Sequence, residues 1–361
     1  MKSEHIETVV VGAGQAGLSV GYHLARHGLP FVILDAHERV GDAWRRRWDS
    51  LRLFTPARLN GLPGMPFPGP AHMFPTKDEM ADYLGAYAAH FELPVRTGMR
   101  MDRLSRNGSS FVLQSGQRSL EAEHVVVAMG TFQTPWVPPF ASDLDPAVIQ
   151  LRSTEYRRPS QLKDGGVLVV GAGNSGAEIA YEVARQHRTW LSGRDTGQLP
   201  FRVEGPLARF VIAPIVLPFL GKRVLTVDTP MGRKVRPKFL SHAAPLARVK
   251  RKDIAAAGIE RVPRIVGVRD GLPLLEDGRV LEVANVIWCT GFRPDFSWIE
   301  LPVFGKEEQP MEPLHRRGVV ASEPGLYFIG LSFLYSLASG VIAGVGRDAE
   351  YVVEHIASRI R

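Results

Sequence analysis

The sequence predicts an α/β fold in which one strand–turn–helix–strand unit is used twice. Three observations predict it. Two glycine-rich turns, Gly12-Ala13-Gly14-Gln15-Ala16-Gly17 and Gly171-Ala172-Gly173-Asn174-Ser175-Gly176, begin 159 residues apart and share one grammar. Each follows a short β-branched run, Glu7 to Val11 or Val167 to Val170, and each opens a helical stretch. Each unit then enters a second strand, Phe31 to Leu34 or Thr189 to Leu191, and meets a charged residue 18 positions past its third glycine: Asp35 in one, Arg194 in the other. Short apolar runs bounded by turn signals read as buried parallel strands, and strand–helix alternation reads as βαβ.

The remaining elements follow along the chain. Gly28 closes the first helix. Residues 41–80 are irregular and rich in Pro, Gly and aromatics, and a loop that long in a compact chain is usually functional. Asp78 to Phe91 reads as a helix with its cap near Thr76. Val125 to Ala128 is a strand ending at Met129-Gly130. Ala177 to Arg185 is the helix of the second unit. Residues 195–284 show no clear pattern. Val286 to Trp288 is a strand leading into Cys289-Thr290-Gly291-Phe292, Leu326 to Ile329 is another, and Ser339 to Ile356 is a terminal helix.

Bulk properties narrow the classes. A length of 361 residues suggests two or three domains, and 45% hydrophobic against 22% charged residues supplies a core and argues against disorder. A single cysteine, Cys289, excludes a disulfide framework, a dithiol electron relay and a cysteine zinc site. The eleven histidines contain no HExxH set, so no metal is expected. The N-terminus lacks the pattern of a signal peptide. The longest apolar run, Phe210 to Leu220, is too short to span a bilayer and holds two prolines, so it reads as a core or entry helix rather than a membrane contact. The net charge of +7 suits anionic ligands, and with no nucleic-acid motif beside it no nucleic-acid partner is expected. A cytoplasmic protein with no integral membrane segment is the expectation.

The glycine turns carry the chemistry. The first glycine permits a tight turn, the second lets backbone approach a pyrophosphate, and the third lets the helix lie against the strand. The helix N-terminus then offers free N–H groups and a positive dipole to phosphates. Asp35 would accept hydrogen bonds from ribose hydroxyls and repel a 2′-phosphate, whereas Arg194 would pair with that phosphate. The first site should therefore hold a nucleotide with a free 2′-hydroxyl, and the second should prefer NADPH to NADH.

With these units in place the sequence resembles the flavin-containing monooxygenases, within the wider single-component flavin monooxygenases that include the Baeyer–Villiger enzymes. The matching stretches are GAGQAG at 12–17, GDAWRRRWDSLRLFTP at 41–56, FPTKDEM at 74–80, VVVAMG at 125–130, VLVVGAGNSGAEIA at 167–180, VIWCTGFRP at 286–294 and GLYFIG at 325–330. The resemblance implies two Rossmann-like domains: an FAD domain of residues 1–160 plus 285–361, and an NADPH domain of 161–284 inserted within it. It implies that Gly12, Gly14, Gln15, Ala16, Gly17, Asp35 and the adjoining Ala36 hold FAD, with Trp44, Leu51 and Arg52 beside the flavin. It implies that Met129-Gly130 and Thr290-Gly291 are the turns where the chain passes between domains, and that the terminal helix aims its N-terminus, around Leu337, at the flavin. Gly171, Gly173, Asn174, Ser175, Gly176, Ser192 and Arg194 would hold NADPH.

Two departures stand out. The family fingerprint FxGxxxHxxxY falls on Pro146 to Tyr156, where its histidine is Arg152 and its tyrosine survives as Tyr156. The asparagine that eukaryotic-type members place beside the flavin is Phe54. Phe54, Arg152 and Tyr156 are thus the catalytic candidates. The implied reaction has NADPH reduce the flavin and dioxygen add at flavin C4a. One oxygen atom then passes to a small organic substrate (an amine, a sulfide or a ketone). The alternatives are an NADPH oxidase that releases hydrogen peroxide and a non-catalytic protein that retains FAD. Cys289 reads as a packed, inert thiol, and a homodimer is a family expectation.

Overall fold

The computed structural model describes residues 4–206, 208, 210, 212, 219–305 and 312–360. In chain order the elements are β1 (Glu4–Val11), α1 (Gln15–Arg26), β2 (Phe31–Leu34), α2 (Asp42–Arg45), α3 (Lys77–His90), β3 (Val95–Arg96), β4 (Arg103–Asn107), β5 (Ser110–Ser115), β6 (Arg118–Val127), β7 (Thr134–Pro135), β8 (Ile149–Arg152), β9 (Val167–Val170), α4 (Asn174–Val183) and β10 (Thr189–Ser192). There follow α5 (Pro230–Ser241), α6 (Arg251–Ala256), β11 (Glu260–Val262), β12 (Ile265–Arg269), β13 (Leu272–Leu275), β14 (Asn285–Trp288), β15 (Phe292–Arg293), β16 (Leu326–Phe328) and α7 (Ile342–Ile360).

Two parallel-centred sheets result, each built on one glycine unit. The first runs β3-β2-β1-β6-β5-β4, with β16 added beside the C-terminal half of β6. Here β1, β2, β3 and β16 are parallel to their neighbours, while β4 and β5 meander back antiparallel. The second sheet runs β11-β10-β9-β14-β8, all parallel. Strands β1 and β9 are central and fully apolar at their C-terminal ends, as buried parallel strands must be. α1 and α7 pack together on one face of the first sheet, where Leu18, Tyr22, Val345, Ala349 and Val353 join one core.

Strand pairing cuts across the boundaries expected at 160 and 285. Both β8 and β14 belong to the second sheet, although both were expected within the FAD part. The reason is register: Asn285–Trp288 pairs with Ile149–Arg152 on one side and with Val167–Val170 on the other, which fills the sheet beside β9.

The long segment after α2 is ordered by buried polar anchors. Asn60, fully buried, donates to Thr55 O and Pro56 O, and Tyr83 and Tyr87 donate to Met65 O and Pro63 O. α3 opens with the capping box Thr76–Glu79. Alternate parts of the segment serve different cores: Trp44 and Leu53 join the first sheet's core, whereas Trp48 and Leu51 join the second's. The apolar run at 210–220 lies partly outside the described residues. Of its described members, Phe210, Phe219 and Leu220 are exposed and Ile212 is half-buried, which corrects the core-helix reading there. No helix among the described residues is long and apolar enough to cross a membrane.

Candidate dinucleotide sites

The two glycine turns repeat one steric solution. Gly12 and Gly171 sit at φ +111° and +109°, and a Cβ at either would meet the crossing strand, Ala128 O at 2.9 Å or Cys289 O at 2.1 Å. A Cβ at Gly17 or Gly176 would lie 1.8 Å from the carbonyl oxygen of Gly12 or Gly171, so only glycine lets each helix seat against its turn. The middle glycines differ in purpose. Gly14 faces open space, and Gly173 meets only Ala243 Cβ at 3.8 Å. Both helices start at these middle glycines with no side-chain cap and no acid in the first turn, leaving N–H groups and a positive dipole free. A pyrophosphate fits both cradles on this test.

The residues that close each unit divide sharply. Asp35 accepts from Ala13 N at 2.6 Å and from His37 N at 2.8 Å, and lies 2.9 Å from His37 Nδ1. Burial pushes its carboxyl up, but the bonds from the His37 ring and backbone and from Ala13 outweigh this and hold it below its usual value. Asp35 is thus an anion braced to the turn, with Ala36 exposed beside it. His37 is a partner that sequence reading missed; its place two residues beyond the acid was the available signal. Arg194 is exposed and makes no hydrogen bond or ion pair with any described residue. Beside it Arg261 donates to Gly193 O at 2.8 Å, a second guanidinium the sequence did not flag because β11 was not foreseen.

Several expected contacts are otherwise engaged. Ser192 is fully buried, donates its one O–H to Pro263 O and accepts from Ile265 N, so its hydroxyl is already engaged within the protein. The Asn174 side chain donates to Pro245 O and accepts from Ala247 N, tying the 244–247 segment to the turn. Ser175 remains partly exposed at the helix start. Leu51, half-buried, packs against the second core. Arg52 Nη1 donates to Phe74 O, which pins the aromatic segment back on the loop. Leu337 lies five residues before α7 begins, and its N–H is taken by Leu225 O.

The catalytic candidates sit in different settings. Tyr156 is fully buried in the second core and donates to Glu182. Arg152 pairs with Glu155 at 2.5 Å on the outer strand β8. Phe54 is open, at 40% exposure, as are Arg152 and, at 39%, Met129. Gly130 carries φ +68° and stands 3.8 Å, by its missing Cβ, from Gly330 O, so the turns after β6 and β16 meet. Thr290 donates to Trp136 O, and Gly291 O accepts from Trp136 N, which links the passes between the sheets. Burial pushes the Cys289 thiol up to about 12, so it stays protonated.

Comparison with known proteins agrees with this architecture. The sequence profile of the pyridine nucleotide-disulphide oxidoreductases matches residues 9–204. An uncharacterized oxidoreductase CzcO-like of Geobacillus kaustophilus is 39% identical over 97% of this chain and 98% of its own length. Indole-3-pyruvate monooxygenase YUCCA1 of Oryza sativa subsp. japonica is 29% identical over 81% of this chain and 78% of that relative. The solved flavin-containing monooxygenase from Stenotrophomonas maltophilia superposes with a TM-score of 0.78 at 28% identity, covering 99% of this chain and all of that one.

Proposed function

Because the chain belongs to the pyridine nucleotide-disulphide oxidoreductase family and, within it, to the flavin-containing monooxygenases, we propose that FAD occupies the first glycine cradle, that NADPH occupies the second, and that one oxygen atom of O2 is inserted into a small organic substrate. The chain is an oxidoreductase, and the family implies a flavin and a nicotinamide dinucleotide. The observation that carries the finer reading is the contrast between two equal cradles, one closed by the braced carboxylate Asp35 and the other by the unengaged guanidinium Arg194. Bound together, the cofactors supply hydride transfer and dioxygen activation.

The chain's own work is positioning. Gly12, Gly14 and Gly17 with the α1 N-terminus receive one diphosphate, and Gly171, Gly173 and Gly176 with the α4 N-terminus receive the other. Asp35 orients a ribose, and Arg194, with Arg261 beside it, pairs with a 2′-phosphate. The tie between Asn174 and the 244–247 segment shapes the entrance to the second cradle. As to domains, we divide the chain by sheet: β8 through β14 form the nicotinamide-binding unit, and the residues before and after form the flavin-binding unit.

The test is an NADPH assay on yellow, FAD-loaded protein across amines, sulfides, ketones and organic acids, with oxygen uptake, peroxide yield and product mass read together. Oxygenated product matching the NADPH consumed is the expected result. If hydrogen peroxide accounts for all the NADPH, the protein is an oxidase. Arg152, pinned to Glu155 where the fingerprint has histidine, favours that second reading.

A further inference from the structure

The joint between the two sheets holds a pair of arginines that the glycine cradles do not use. Asp49 N donates to Arg157 O at 2.9 Å, and Arg157 Nη1 donates to Arg47 O at 2.8 Å, so the segment after α2 is stapled to the chain just beyond β8. The Arg47 guanidinium lies over the Phe292 ring, 5.2 Å from its centroid, and makes no hydrogen bond or ion pair with any described residue. The Arg157 guanidinium donates, among the described residues, to the carbonyl oxygens of Arg45 and Arg47. Neighbouring acids are committed elsewhere, Asp49 to Arg158 and Glu155 to Arg152. Burial, and then the Arg157 charge, push the Arg47 pKa down, as befits a desolvated cation that has a like charge and no acid beside it.

The surroundings are apolar and open. Phe292 packs edge-on against Phe132, with ring centroids 5.7 Å apart, and Phe132 is 65% exposed. Met129 is exposed at the start of the same turn. Large apolar side chains left open beside an unpaired guanidinium suit a ligand that is apolar at one end and anionic at the other. A protonated amine would meet two like charges there.

We propose that Arg47 and Arg157, with Phe292 and Phe132, form a subsite for the carboxylate and ring of an aromatic organic acid, which makes the substrate an anion rather than a cationic amine. Calling the ligand a substrate rests on the monooxygenase reading; the binding itself does not. The coenzyme's diphosphate is the other source of negative charge in the same cleft, and the test separates the two.

The experiment is calorimetric titration of the FAD-loaded full chain with 3-phenylpropionate, with its neutral amide and, separately, with NADP+. The acid is expected to bind about tenfold more tightly than the amide, the scale of one charge-assisted pair. Arg47→Met should abolish that preference while amide and NADP+ binding stay within about twofold, and Arg157→Gln should reduce it by about threefold. Equal binding of acid and amide by the unaltered protein overturns the proposal. So does a loss of NADP+ binding in Arg47→Met as large as the loss of acid binding, which assigns the guanidinium to the coenzyme. Should Arg47→Met fail to retain flavin, an unchanged acid preference in Arg157→Gln overturns it. An enzyme that yields only peroxide would end the oxygenation reading and leave the acid preference measurable.

Discussion

The two glycine turns make a comparison within one molecule. Their backbones are nearly superimposable in logic: the same left-handed first glycine, the same open second, the same third glycine pressed to 1.8 Å of a carbonyl. Their side chains diverge at two matched places. Where the first unit closes on Asp35, braced by Ala13 and His37, the second ends on Arg194 with no partner among the described residues. Where α1 has Ser19, buried and self-satisfied by its bond to Gln15 O, α4 has Glu178, half-buried with Oε1 unpartnered and Arg248 and Glu204 nearby. Backbone sterics make the cradle, and side-chain charge chooses what lies in it.

The comparison breaks most forcefully at the third glycine. Gly17→Val places carbons where the Gly12 carbonyl stands, and should destabilise the protein by about 3 kcal/mol or more. Gly14→Ala meets nothing within 4 Å, so its melting temperature should hold while flavin retention falls. If thermal melts rank the two variants equally, the division of labour among the glycines is wrong.

A smaller effect belongs to the closing residue. Arg194→Ala should raise the KM for NADPH about tenfold and leave NADH nearly unchanged, as expected for one lost charge-assisted pair. Equal losses with both coenzymes would remove Arg194 from the phosphate. Arg261→Ala, measured alongside, shows how much of the clamp its neighbour supplies.

The smallest effect sharpens the contrast between the helices. Burial, and then the Glu204 charge, raise the Glu178 carboxyl from 4.5 to about 7, against the pull of Arg248. The folded state therefore holds that proton more tightly than the unfolded chain. The resulting stability is complete below about 4.5 and is lost as pH rises through about 7. Between pH 5 and pH 8 the melting temperature of the parent protein should fall by about 2–4 °C more than that of Glu178→Gln. Parallel slopes would mean Glu178 does not titrate there.

Much of the frame was legible because it rests on local sterics. Strands Phe31–Leu34 and Val167–Val170 read correctly from their unbroken apolar runs, and α3 from its cap at Thr76. The β4–β5–β6 meander was missed except for its last three residues, since Arg, Ser and Gln alternate with its apolar positions. The pairs Asn107-Gly108 and Ser115-Gly116 were turn signals that marked it. The site was less legible than the frame. Ser192 and Tyr156 look like polar site residues in sequence, but Pro263, Ile265 and Glu182, distant in the chain, absorb their hydrogen bonds.

What the sequence alone determined was the doubled cradle and the opposite charges that close its two copies, because a glycine's missing Cβ and a side chain's charge are local properties. What only the tertiary structure decided was which polar groups are spent and which are free. Neighbouring Arg47 and Arg157 become a couple with no acid partner among the described residues because a loop of the first unit is bound across the joint to the second. Their acids are drawn off to other partners, and no residue type or spacing encodes that division, because it depends on contacts that form only when the two sheets pack.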